Sequence, residues 1–358
     1  FPAWDLVDVE AYYDAPRFTP SYARREYMSL FTSRGCPYRC TYCHDIFSKK
    51  FNAHSPERVM AEIDAIVENY GVGELVIVDD IFNIDRKRAQ KICEMIVERG
   101  YDFRLEFPNG LRADQMSEEL LHWMKKAGTY RVVYAIETAS PRLQKFTKKH
   151  VNLVKMNEII TMTAKMGIFT HGVHMLGFPG ETREELETTI QYACKSNLHT
   201  ANFFVVNPFD GTELADQVRE MGIPVNVGDS NNFDYFKNNF KLSEVGTDEL
   251  MYLVRKAHMR FYWSPRRIVR LMWVLPNKRL FPRMFLLFML RSVTFLGSPG
   301  DGQRYLDGLF RMEAIWGRFA SKVFPPRHKQ AKIFREKQKE KKRIAALAAN
   351  EVAVQPAA

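Results

Sequence analysis

The chain has 358 residues, 46% hydrophobic, 13% aromatic and 26% charged, with a formal net charge of +10. This ordinary globular composition excludes collagen-like, coiled-coil and disordered classes and leaves room for one large or two medium domains with a full core. The charge invites a nucleic-acid or anionic-surface reading, but residues 251–300 hold ten Lys/Arg and no Asp or Glu, residues 327–343 hold nine Lys/Arg against Glu336 and Glu340, and residues 1–250 are left at −7.

Residues 1–27 are rich in Pro, Tyr and Asp and show no period, so they are expected to be a lead-in or linker. The N-terminus has no basic region or long apolar core, so no signal peptide is expected, and the missing initial Met suggests a piece of something longer. The longest apolar run, Met284 to Leu290, is closed by Arg283 and Arg291 and is too short to span a membrane.

Short apolar or β-branched runs are predicted as strands at Met28–Thr32, Leu75–Val78, Phe103–Phe107, Val132–Ile136, Gly172–Leu176 and Asn202–Val206. Helix-period segments alternate with them: one opens at Ser55-Pro56-Glu57 and runs to about Tyr70, and others lie near 85–99, 117–127, 152–166 and 181–196. Six strand–helix alternations predict right-handed βαβ units around a parallel sheet. Periodicity leaves an open doubly wound sheet and a partial barrel both standing. In either, chemistry belongs at the C-terminal ends of the strands. There the sequence places the cysteines, Asp79-Asp80, Asn109 to Arg112, Glu137, the Gly177–Glu181 turn and Asn207-Pro208. Residues 222–246 are Asn/Asp/Gly-rich and read as irregular, residues 247–323 as helical, aromatic and basic, and residues 327–350 as a solvated charged helix.

Three of the five cysteines, Cys36, Cys40 and Cys43, stand within eight residues. They are too close together for a disulfide framework and point to a reducing compartment and a metal. A structural zinc site would want a fourth protein ligand, usually from a distant pair. A 4Fe–4S cluster held by three thiolates keeps one iron open to chelate another molecule. Accidental, zinc-binding and cluster-binding readings of the spacing all exist; its place after the first strand, with Tyr42 ahead of the last cysteine, favours the cluster.

The segment Cys36-Pro37-Tyr38-Arg39-Cys40-Thr41-Tyr42-Cys43 resembles the CxxxCxΦC hallmark of the radical S-adenosylmethionine (SAM) superfamily, with Tyr42 in the aromatic place. The likeness covers about residues 28–215. Val78-Asp79-Asp80-Ile81-Phe82, Ala135-Ile136-Glu137-Thr138, Gly177-Phe178-Pro179-Gly180-Glu181-Thr182 and Pro208-Phe209-Asp210-Gly211-Thr212 are similar to the subgroup that usually carries an N-terminal cobalamin-binding domain. Residues 1–6 resemble the segment joining that domain to the barrel. Ala135 and Asp210 depart mildly from the family pattern. No Asp-x-His-x-x-Gly, the usual cobalamin-ligating loop, occurs in this chain.

The resemblance implies a partial (β/α)6 barrel with a helical C-terminal region. It implies Cys36, Cys40 and Cys43 as cluster ligands and SAM on the open iron. An electron then cleaves the C–S bond to methionine and a 5′-deoxyadenosyl radical, which abstracts hydrogen from an unactivated carbon. It also implies Tyr42 against adenine or shielding the cluster, and Asp79 or Asp80 at the SAM amino group, with helix capping as their alternative. Glu137 is expected at the ribose hydroxyls or at a helix start. Lys148 is expected at the SAM carboxylate, beside Lys149 and His150, with Arg112 in the same role or on substrate. Gly177 and Gly180 are expected to let backbone approach adenine or simply to turn the chain. Cys93 and Cys194 read as core residues, and His171 and His174 as strand histidines, with His174 a candidate to point inward.

The expected function is methylation, or radical rearrangement or cyclisation, of a lipid or secondary metabolite, with cobalamin as a further cofactor whose domain is absent from this chain. Flavodoxin or ferredoxin is the implied reductant, and the implied compartment is the cytoplasm or the inner face of a membrane. An RNA-modifying relative is the second enzyme reading, and a zinc- or cluster-stabilised binding module is the non-enzyme one. Residues 255–295 interleave Arg with Trp, Phe and Leu. They read as a helical domain packed on the barrel, as a peripheral membrane surface, or, least well, as a nucleic-acid surface. The charge is expected to mark a surface that docks beside the chemistry.

Overall fold

In a computed structural model the described residues are 1–13, 17, 19, 21–44, 46–223, 240–280, 284 and 336. A 3-10 turn at Trp4–Leu6 and helix α1 (Val9–Tyr13) open the chain. The core then alternates β1 (Tyr27–Leu30), a paired β2 (Ser33–Arg34) and β3 (Asn52–Ala53), α2 (Pro56–Tyr70), β4 (Glu74–Ile77), α3 (Arg86–Arg99) and β5 (Arg104–Leu111). It continues with α4 (Glu118–Lys126), β6 (Thr129–Glu137), α5 (Pro141–Phe146), α6 (Leu153–Lys165), β7 (Phe169–Leu176), α7 (Arg183–Lys195), β8 (Thr200–Val205) and α8 (Glu213–Glu220). Helices α9 (Thr247–Tyr262) and α10 (Pro265–Val274) follow.

Six strands form one parallel sheet in the order β1-β4-β5-β6-β7-β8. The order never reverses, so the chain winds one way round. That excludes the doubly wound alternative, whose strand order switches at the middle, and gives the expected partial barrel. Its C-terminal strand ends form the mouth and its N-terminal ends the base.

The helix boundaries follow local chemistry. Ser55 accepts the Arg58 N–H ahead of Pro56, and Gly71 closes α2 at φ +60°. Thr182 and Glu185 form a reciprocal capping box at α7. The strands exceed the apolar runs because polar residues complete them: β5 continues through Asn109 to Leu111, which were expected to lie beyond it. The short β2–β3 pair and α5 carry too few residues to show a period. The boundary drawn at residue 215 falls inside α8.

Along β7 the half-buried His171, Val173 and Met175 alternate with buried Gly172, His174 and Leu176, so the former line the hollow. His174 therefore points outward, against Phe203 and the α9 layer, where its ring stacks at 5.1 Å. Burial drives it down to a pKa of about 3, a neutral core histidine. His171 bonds Thr200 Oγ1 at 2.8 Å inside the hollow.

At the base, buried Glu74 receives Arg17 Nη1, the Ala23 and Arg24 N–H groups and the Tyr130 hydroxyl. This fixes the lead-in segment beneath the sheet. Helix α10 closes the same end. Leu271, Leu275, Leu280 and Met284 pack on Phe169 and Tyr22, and the buried Arg267 donates to the carbonyls of Cys194, Ser196 and Leu198. The described part of the basic aromatic segment, to Leu280, thus docks at the base, opposite the strand ends where the chemistry is expected; for these residues the expectation of a surface beside the chemistry is corrected. Helix α9 covers β8, and the Tyr262 hydroxyl both donates to Ala201 O at 2.7 Å and accepts from Ala201 N–H at 3.1 Å. Residues 281–283 and 285–295 of the surface reading, and the 327–358 tail apart from Glu336, lie outside the described residues.

Candidate active site

The three cysteines sit on the loop leaving β1 at the mouth, and all three are free thiols. Asp79, at the end of β4, is buried, and its two oxygens accept Thr32 N–H at 2.6 Å, Thr32 Oγ1 at 2.5 Å and Ser33 Oγ at 2.5 Å. Asp80 accepts the Gly35 N–H at 2.7 Å. Gly35 has φ +82°, and a Cβ there would lie 2.1 Å from the Lys50 carbonyl oxygen, so glycine is required. Thr41 N–H donates to Thr147 O, and Thr41 O accepts Leu214 N–H. The loop is thereby pinned ahead of Cys36, through Gly35, and between Cys40 and Cys43, through Thr41. Asp79 and Asp80 hold the loop, and neither caps α3, whose N-cap is Asp85. The expectation of Asp79 at the SAM amino group meets a carboxylate with both oxygens engaged by protein.

Burial, then the charge of Cys40, pushes the Cys43 thiol up to about 11. Cys36 is also raised, again chiefly by burial. Among the described residues no three His, Cys, Asp or Glu side chains close on a single point as ligands of one ion. A cubane cluster asks less, since each thiolate bonds its own iron. The loop fits that group: three neighbouring sulfurs, a fixed backbone and an open outer side at Cys43.

Behind the loop stands a buried polar group. Glu137 ends β6 at φ +64°. Its Oε1 lies 3.5 Å from Lys149 Nζ, while Oε2 is buried without a hydrogen-bond partner. Burial raises its pKa against the pull of Lys149. The Tyr42 hydroxyl, also buried, faces Glu137 and Cys40 without closing a full hydrogen bond to either. Its ring lies 6.1 Å from Phe178, and burial beside Glu137 and Cys40 raises its pKa far above the phenol range. Unsatisfied buried oxygens cost free energy unless a ligand supplies the partner, so this spot suits a hydroxyl-bearing guest.

Lys149, noted in the sequence only as a neighbour of Lys148, is the lysine that the fold buries. Lys148 is half-exposed and pairs with Glu213 at 2.6 Å. Lys149 is buried, and its N–H and that of His150 both donate to Gln144 O. Arg112 Nη1 donates to Lys149 O at 3.0 Å. Lys148 and His150 both have positive φ, a costly conformation for non-glycine residues. The clamp turns Lys149 inward and its two neighbours out. Spacing along the chain cannot distinguish the consecutive side chains Lys148, Lys149 and His150; the strained turn does. Arg112, paired with Asp114 at 2.8 Å and stacked 3.9 Å over Tyr38, is committed to that clamp.

Gly177 has φ +97°, and its N–H and that of Phe178 donate to the buried Glu181, whose pKa burial pushes up to about 8. A Cβ at Gly177 would lie 2.7 Å from Leu250 of α9, so the close approach there is by the C-terminal helix. Gly180 N–H donates to Leu242 O at 3.0 Å. Cys93 is buried in the core, and Cys194 packs half-buried at its margin.

Residues 30–193 match the Radical SAM superfamily. This chain belongs to the radical SAM superfamily. It is 30% identical over 243 residues to an uncharacterized methyltransferase of Pyrococcus horikoshii, covering 67% of this chain and 52% of that one. It is 30% identical over 232 residues to cytidylyl-2-hydroxyethylphosphonate methyltransferase of Streptomyces wedmorensis, covering 62% and 43%. The chain thus spans about half the length of these curated relatives. The radical SAM methyltransferase TsrM of Kitasatospora setae, solved with cobalamin and a [4Fe-4S] cluster, shares the fold: TM-score 0.51 and 22% identity, over 56% of this chain and 38% of that one. Radical SAM proteins use a 4Fe–4S cluster and SAM, the groups the cysteine loop implies.

Proposed function

We propose that this chain is the catalytic barrel of a radical SAM enzyme that methylates a small molecule. The observation that carries the reading is the pinned loop of three free thiols facing the buried Glu137–Lys149 pair across the barrel mouth. Methyltransferase names among its relatives support the methylation part. Cys36, Cys40 and Cys43 would hold the cluster. When bound, the cluster and SAM supply reductive C–S cleavage and hence one-electron chemistry, with a one-electron donor protein as reductant.

This chain's own residues then position and seal. Lys149 presents an ammonium to a carboxylate, and the free Glu137 Oε2 accepts from a hydroxyl. Tyr42 and Phe178 wall the mouth with rings. Val173 and Met175 line the hollow along β7 with apolar side chains, and His171 adds a polar edge. Cobalamin, which the TsrM neighbour binds, would be a further cofactor of the whole protein, held outside the residues described here; no Asp-x-His-x-x-Gly occurs in this sequence.

Anaerobic reconstitution tests the proposal. About four iron and four sulfide per chain are expected, matching a cubane, with SAM cleaved by an added reductant to 5′-deoxyadenosine and methionine. Zinc uptake alone with SAM left intact would reject it. Lys149→Met should weaken SAM binding roughly tenfold or more, the scale of a lost charge-assisted bond. Lys148→Met, whose pair is surface-exposed, should change it less than about twofold. Equilibrium dialysis on the reconstituted protein decides, and equal losses in both variants would remove Lys149 from the site.

A further inference from the structure

Helix α10 carries a surface that the chemistry at the mouth does not use. Its inner side is Arg267 and Leu271, packed at the base. Its outer side presents Val269 and Met272, together with Trp263 at its start and Trp273 near its end, the two indoles 56% and 75% exposed. Arg266 is exposed between them, and Lys278 Nζ lies 5.2 Å over the Trp273 ring. A tryptophan three-quarters in water is uncommon in a folded protein. Two of them, grouped with exposed Val and Met and flanked by cations, make a patch that calls for a partner.

We infer that this face of α10 rests on a bilayer surface bearing anionic headgroups. Charge selects that occupant. Residues 251–300 contain no Asp or Glu. Lys256 and Arg260 are already neutralised by Glu187, so Arg266 and Lys278 are the described cations beside the indoles. Indole rings flanked by Lys and Arg are the arrangement that settles at headgroup depth. Among the described residues no helix is long and apolar enough to cross a membrane, so the contact is peripheral.

The geometry also sets the orientation. Patch and cysteine loop lie at opposite ends of the barrel, so docking leaves the mouth turned away from the bilayer. A substrate then enters from the aqueous side, and the contact tethers the enzyme without feeding it lipid. Phe1 lies on the mouth side, over Arg58 in the first turn of α2 at 3.8 Å. Anything joined ahead of it attaches far from α10.

The test is flotation of the full chain with vesicles of phosphatidylcholine, alone or with roughly 30% phosphatidylglycerol, the contrast that isolates the electrostatic part of binding. Binding to the anionic vesicles is expected, weakened by added salt. Trp263→Ala with Trp273→Ala should lower the bound fraction about tenfold, and Arg266→Glu with Lys278→Glu should remove the anionic preference. The thermal midpoint and any SAM cleavage should stay unchanged in both variants. Three outcomes overturn the inference: no binding to either vesicle, equal binding by the double-tryptophan variant, or binding replaced by concentration-dependent dimers that the double-tryptophan variant abolishes.

Discussion

Replacing any one of Cys36, Cys40 and Cys43 by alanine is expected to reduce SAM cleavage at least about a thousandfold, or ~4 kcal/mol in the barrier. The physical reason is the absence of a substitute ligand on the loop. His44, the adjacent candidate, instead sets its ring 5.2 Å from Phe209. Removing one thiolate leaves a second iron without a protein ligand, and the cluster is lost rather than retuned. Iron content and the charge-transfer absorption of the reconstituted protein should fall together, while far-UV circular dichroism stays native, because Cys36 and Cys40 are half-buried and Cys43 is exposed. Cys93→Ala serves as the contrast: it should cost stability in the core and leave iron content intact. A triple-alanine variant that still cleaved SAM would refute the assignment.

Asp79→Ala should produce the largest loss of stability. Three donors, the Thr32 N–H, Thr32 Oγ1 and Ser33 Oγ, would lose their acceptor in a buried site. Arg88, whose Nη2 donates to Thr32 O at 2.5 Å, would lose its nearby counter-charge. Charge-assisted bonds contribute about 1.5–3 kcal/mol each, and buried donors left bare add a penalty, so a total of ~4 kcal/mol is expected. The thermal midpoint should drop on the order of 5–10 °C. Because Thr32 and Ser33 lead directly into Gly35 and the cysteines, the variant should also load less iron at temperatures where it remains folded. Asp79→Asn, which keeps one acceptor oxygen, should fall between. A midpoint within a degree of the parent protein would show that the loop does not depend on this carboxylate.

Much of the architecture was legible because strands and helices announce themselves by period. Each of the six sheet strands overlaps an apolar run, and Ser55, Thr182 and Gly71 sit where capping chemistry requires them. Winding direction was not legible, since an apolar strand buried on both faces reads the same in a barrel as in an open sheet. The site divides along the same line. Cys36, Cys40 and Cys43 are local and show in spacing alone. The inward turn of Lys149 depends on Gln144 from α5 and Arg112 from the end of β5, partners five and thirty-seven residues away. Arg112 was expected on a ligand because a cation near strand ends is chemically apt; its carbonyl partners, on Lys149 and His150, are brought to it only by the fold. The basic segment misled for a related reason. Net charge says which residues favour an anionic surface, and topology says which end of the barrel they occupy.

Tyr262 and Leu250 have a bearing on how this protein can be cut. The family match ends at residue 193, before α9, which makes residue 215 or 246 a tempting terminus. Yet the outer edge of β8 takes its donor and acceptor from one phenol of α9, and the Gly177–Gly180 turn leans on Leu250 and the Leu242 carbonyl. A fragment ending at either position would be contiguous in sequence and unfinished in space, with a bare strand edge exposed as a template for aggregation. The smallest self-sufficient unit of this catalyst therefore reaches at least to Tyr262.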